Sequence, residues 1–179
     1  MKIIGPVLAA AVASLALPAA SSPAFDTFRQ VCGDNHTDFA SIKAALAAPG
    51  WAPADVLPNS MEGVTPTEGV ARVRTVGSQQ ITVYAWIGMK GAFHLTACTA
   101  KVTKIDLSAA AQESQAWLGF APESSAGGKS TWRYGETGGV RAAVQQAGFQ
   151  AAADGGGLFF FNVFADHGEA VLDLLKIKS

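Results

Sequence analysis

Cys32-Gly33-Asp34-Asn35-His36-Thr37-Asp38 packs a thiol, an imidazole, two carboxylates and an amide into one short segment. Side chains of these types can ligate a metal or move a proton, so this segment is where chemistry would be sought first. A zinc site takes three or four ligands at suitable spacing. A calcium loop takes more oxygen donors than this and a central glycine. Neither pattern is met, and an interhelical turn in which Asp and Asn bind backbone amides accounts for the same residues. A larger constellation is reachable only through the second cysteine, Cys98. If Cys32 bonds Cys98, their Cα atoms lie within about 7 Å. His94 shares a strand face with Cys98, and would then join His36 and Asp34 as weak candidate ligands, or as the catalytic group of a small hydrolase or metal-dependent enzyme. His94 is four residues from Cys98, roughly 13 Å along a strand. A joint site therefore needs the 33–37 turn to run back toward His94. We expect it to run the other way and the histidines to diverge, so no catalytic residue, metal or cofactor is assigned.

Other motifs fail on their context. Gly127-Gly128-Lys129-Ser130 ends like a phosphate-binding loop, but Glu123 stands where the first glycine belongs, and a strand pattern follows where a helix should. There is no Gly-x-Ser-x-Gly elbow and no His-Glu-x-x-His pair. Asn35-His36-Thr37 fits a glycosylation sequon, relevant only in a eukaryotic secretory pathway. Trp132-Arg133-Tyr134 sits on a short strand beside a glycine-rich loop. If exposed, these side chains suit a partner-binding surface; core packing against a helix is the alternative.

The N-terminus addresses location. Met1-Lys2 is a short positive start, Ile3 to Leu17 is an uncharged apolar run, and Pro18 breaks it. Ser22 and Ala24 place small side chains three back and one back from a cut before Phe25, the layout of a secretory signal peptide. The apolar run is shorter than the ~20 residues of a membrane helix. The reading is a signal peptide over 1–24 and a single domain over 25–179, periplasmic or secreted and off the membrane after cleavage. A net charge of −1 with no single-sign stretch gives no case for nucleic-acid binding. Two cysteines in an exported chain make one disulfide, Cys32–Cys98, for which the chain-entropy model suggests roughly 4 kcal/mol.

The elements that must position these residues are read from periodicity. Phe25 to Val31 forms a short helix ended by Gly33. A second is capped by Thr37 or Asp38, with Phe39, Ile42 and Leu46 on its apolar face. Residues 52–69 read as a loop. Strands follow at 70–76, 80–87 and 93–105, with a turn at 88–91. A helix begins at Asp106 or Ser108. A loop covers 121–128, a strand 130–134 and a helix 140–147. The strands 158–165 and 171–177 are joined by a turn at Asp166-His167-Gly168. Gly50-Trp51, Gly119-Phe120 and Gly148-Phe149 each follow a predicted helix, where a left-handed glycine can close it and the aromatic folds back. The order predicts an α+β fold: a mostly antiparallel sheet of about six strands with helices packed on one face.

Phe28…Cys32…Asp38…Ala44…Gly50-Trp51, early in an exported Ala-rich chain with one later Cys, resembles uncharacterised small exported envelope proteins of Gram-negative bacteria. The resemblance covers about 30 residues of the N-terminal segment and implies a periplasmic or secreted location, without an activity or site residues to carry over. The functional expectation is a soluble, non-catalytic binding or inhibitory partner in the cell envelope, acting on an envelope protein or small ligand. A hydrolase or metal enzyme built on His36, His94 and Asp34, and a structural subunit of an envelope assembly, are the alternatives.

Overall fold

The alternating segments pair into one antiparallel sheet in the computed structural model, which describes residues 21–35, 38–55 and 63–179. β1 (Ala52–Pro53), β2 (Thr65–Val76), β3 (Gln79–Lys90) and β4 (Phe93–Val102) form a meander. β9 (Glu169–Lys178) lies against β4, β8 (Leu158–Asp166) against β9, and β6 (Lys129–Thr137) against β8. The far edge of β6 is shared by β5 (Ser124–Ala126) and β7 (Val140–Ala143). The α+β class stands, but among the described residues the sheet has nine strands, not about six. The three additions, β1, β5 and β7, are two to four residues long, too short for alternation to register.

The helix predicted over 140–147 is replaced by β7, a 3₁₀ turn at Gln146–Gly148 and a helix α4 (Phe149–Asp154). Gly138 and Gly139 both have positive φ, 59° and 79°. This two-residue hairpin turn folds Val140–Ala143 back onto β6, and edge pairing overrides the helix propensity of alanine. Gly148 accordingly precedes a helix rather than ending one, at φ −97°. β3 continues to Lys90, so residues 88–90 are strand and the turn narrows to Gly91 and Ala92.

The other helices form where their caps allow. α1 (Pro23–Phe28) starts at Ser22 and runs on into a π-helical turn, Arg29–Gly33. Asp38 caps α2 (Phe39–Leu46) by accepting from Ser41 N–H, and Asp106 caps α3 (Leu107–Leu118) by accepting from Ala109 N–H. Gly119 closes α3 at φ 86°, donating to the Gln115 carbonyl. α1, α2 and α3 cover one face of the sheet and share its main core. α4 packs on the opposite face, where Phe149 meets Phe160 edge-on at 5.7 Å, so helices occupy both faces rather than one.

Five directly opposed residues make the spine of the main core. Ala85, Cys98, Leu174, Phe161 and Trp132 face one another across β3, β4, β9, β8 and β6, and each is at most 1% exposed. Phe161 is the hub. Phe28 stacks on it at 5.5 Å, Trp117 meets it edge-on at 5.6 Å, and Trp132 lies 5.5 Å away. The Trp132 indole donates to the Phe120 carbonyl at 3.2 Å, giving the buried N–H a partner. Cys32 and Cys98 are disulfide-bonded, with Cα atoms 5.7 Å apart, tying the first helical segment to the sheet across a separation of 66 residues. Gly33 lies against the Trp117 ring so closely that a Cβ there would collide with it.

Replacing both cysteines by alanine is expected to lower unfolding stability by about 3–4 kcal/mol, read from the urea midpoint. Gly33→Ala is expected to cost about 1–3 kcal/mol through the displaced Trp117 ring, with a matching change in tryptophan fluorescence.

Candidate functional site

Successive strand residues point to opposite faces, so the register that builds the core spine also sets out a second row one residue away. Tyr84, Thr99, Asp173, Asn162 and Thr131 are directly opposed across β3, β4, β9, β8 and β6. All five are polar, all are half-buried, and they lie on the face opposite α1, α2 and α3. Their hydrogen bonds converge on Asp173. Thr99 Oγ1 donates to Asp173 Oδ1 at 2.7 Å, and Asn162 Nδ2 donates to Oδ2 at 3.4 Å. Thr131 Oγ1 in turn donates to Asn162 Oδ1 at 3.0 Å.

Burial is the largest influence on Asp173 and pushes its pKa above the ordinary carboxylate range. The hydrogen bonds from Thr99 and Asn162, and the more distant charge of Lys129, oppose that shift without cancelling it. Burial also raises Tyr84. The neighbouring cation, Lys101, is committed elsewhere: its Nζ bonds Asp166 Oδ2 at 2.7 Å, and that bond raises Lys101 and lowers Asp166. A half-buried carboxyl held against its solvation preference beside an apolar pocket makes this face the candidate functional site.

Along the same face the character turns apolar. Trp86, Ala97, Leu175, Phe160 and Arg133 form the adjacent cross-strand row. Beyond it, Phe93, Leu95, Leu158, Phe160 and Ile177 from the sheet enclose a pocket of about 220 Å³ with Phe149 and Ala153 of α4. Lys90 lines it as well. The Arg133 guanidinium spans the rings of Phe149 and Phe160, at 5.2 and 5.9 Å, and pairs with Glu123 at 2.8 Å. This anchors α4 and gives the pocket its wall.

The sequence-predicted residues lie elsewhere. Trp132 and Tyr134 are buried at 0% and 2% exposure on the helix-covered face, so they pack the core, and only Arg133 reaches the opposite face. Asp34 follows the π-helical turn and faces Arg29 at 3.9 Å. His94 is exposed near the start of β4, opposite Met89 and Lys178. His36 lies outside the described residues, as do Thr37 and residues 1–20. Among the described residues, no three His, Cys, Asp or Glu side chains come close enough to hold a metal ion, and no helix is long and apolar enough to cross a membrane.

Sequence reasoning missed Asp173, although a signal was present. Asp173 and Asn162 are each the lone polar residue in an apolar run, Val171-Leu172-Asp173-Leu174-Leu175 and Phe159-Phe160-Phe161-Asn162-Val163. The short turn at 167–168 sets them opposite one another. The chain matches no protein-family model, no curated protein and no solved structure.

The elevated pKa of Asp173 has a defined consequence for stability. A carboxyl whose folded pKa exceeds its unfolded value contributes stability below the unfolded pKa, near 3.9, and that contribution is lost as pH rises through the folded value. Asp173→Asn cannot ionise, and a turned-over Asn162 amide can still accept from it. This variant is expected to raise Tm at pH 7 by about 3 °C, with the gain vanishing toward pH 4. Thermal unfolding across that pH range checks it.

Proposed function

We propose that this is an exported, non-catalytic binding domain that takes a small amphipathic ligand on the sheet face opposite α1, α2 and α3. One observation carries the reading: on that face a row of hydrogen-bonding side chains centred on Asp173 adjoins an apolar pocket. Ligand sites pair an apolar concavity with a few placed polar groups in this way. Phe160 in the pocket wall and Asn162 in the polar row are two residues apart on β8, so about 7 Å separates them. Ile177 and Asp173 are four apart on β9, about 13 Å. A molecule with a short acyl or aromatic end and a hydroxylated head fits that span, its apolar end under α4 and its hydroxyls on Asp173, Asn162 and Thr131.

The export part of the reading is supported by the three-part N-terminus, by the Cys32–Cys98 disulfide, which suits an oxidising compartment, and by the likeness to small envelope proteins. Nothing in the positions of Asp34 and His94 favours the rival hydrolase or metal enzyme.

The test is calorimetric titration with octyl glucoside below its micellar concentration. Saturable binding is expected for the unaltered protein. Leu95→Trp, which fills the pocket, and Asp173→Ala, which removes the head-group acceptor, are each expected to weaken binding about tenfold or more, equivalent to ~1.4 kcal/mol. Circular dichroism verifies that both variants fold. No binding by the unaltered protein, or equal binding by both variants, overturns the reading.

A further inference from the structure

We infer that export processing cuts before Ser22, not before Phe25, so that Ser22-Pro23-Ala24 stay with the mature domain as a structural N-terminus gripped by Glu113. The inference rests on the export reading but not on any ligand. Ser22 caps α1: its Oγ accepts from Phe25 N–H at 3.2 Å, and its carbonyl accepts from Asp26 N–H at 3.0 Å. Glu113 of α3 holds the same residue from outside. Ser22 N–H donates to Glu113 Oε1 at 2.6 Å and Ser22 Oγ to Oε2 at 3.1 Å. The Pro23 carbonyl accepts from the buried Thr27 hydroxyl at 2.8 Å. Ala24 is fully buried.

A cut before Phe25 removes all of these bonds together. It strips the cap from α1 and leaves the Thr27 hydroxyl, on a residue 7% exposed, without its acceptor. Losing a cap and orphaning a polar group both oppose folding. The bond before Ser22 meets the same recognition rule, because Ala19 and Ser21 put small side chains three back and one back from it. There the new α-ammonium forms where Ser22 N already sits against Glu113, and an amide hydrogen bond becomes a charge-assisted one. Glu113 thereby recognises the processed end of its own chain.

The experiment expresses the full-length chain with its own leader in a Gram-negative host, then measures intact mass and N-terminal sequence of the exported protein. A first residue of Ser22 is expected. A first residue of Phe25, or any other new terminus, overturns the assigned cut while leaving export standing. A retained Met1 overturns both. In a second arm, Glu113→Ala in the exported protein is expected to lower Tm by about 3 °C. An unchanged Tm overturns the proposed grip on Ser22.

Discussion

The pairing register of β3, β4, β9, β8 and β6 is the constraint on which the remaining structure depends. It aligns Ala85, Cys98, Leu174, Phe161 and Trp132 on one face and, one residue away, Tyr84, Thr99, Asp173, Asn162 and Thr131 on the other. Because side chains alternate with period two, a slip of one residue would exchange a buried apolar spine for a polar row. It would also carry Cys98 to the face away from Cys32. Burial of the spine, closure of the disulfide and assembly of the Asp173 row are therefore three consequences of one arrangement, and none can be had in a shifted sheet.

The two faces divide the work. On the helix-covered face, Phe161 collects Phe28, Trp117 and Trp132, and the guanidinium of Arg141 lies 4.6 Å from the Trp117 ring centre while bonding Glu136 at 3.1 Å. Apolar contact is abundant there, and the buried Trp132 N–H and Ser114 hydroxyl each find a backbone carbonyl. On the other face, the Asp173 carboxyl accepts from Thr99 and Asn162, and among the described residues no cation hydrogen-bonds it. Such an arrangement costs stability that an apolar residue at 173 would not. The well-packed face supplies the margin that lets the second face keep its polar row.

Much of the fold was legible because its long elements carry strong signals. Asp38 and Asp106 sit where helix caps should, β3 alternates along most of its length, the apolar runs of β8 and β9 flank a short turn, and two cysteines leave a single connectivity. What escaped was local. β6 is bracketed by Gly127-Gly128 and Gly138-Gly139, and all four glycines have positive φ. Each pair folds a short strand back onto β6, a hairpin signal hidden beneath an alanine-rich run that mimics a helix. The candidate site escaped for another reason. Its residues come from five strands and meet only through long-range register, so no linear motif announces them. The reactive cluster at 32–38 drew attention by density alone, whereas Asp173 and Asn162 stand out only by contrast with their apolar neighbours.

Cys98 and Thr99 are consecutive on β4, and this adjacency links the disulfide to the polar row. The covalent bond holds Cys98 to the π-helical turn on one face. On the other face, Thr99 donates the shortest hydrogen bond that Asp173 receives. Anchoring the backbone at Cys98 limits the excursions of Thr99, and with them the rotamers open to the Asp173 carboxyl. For the ligand proposed above, preorganisation of this sort would lower the ordering cost of binding. The disulfide thus acts twice, by restricting the unfolded chain and by stiffening the strand that carries the central acceptor's partner. An oxidising compartment would be needed for the second effect as much as for the first, because both depend on the same covalent bond.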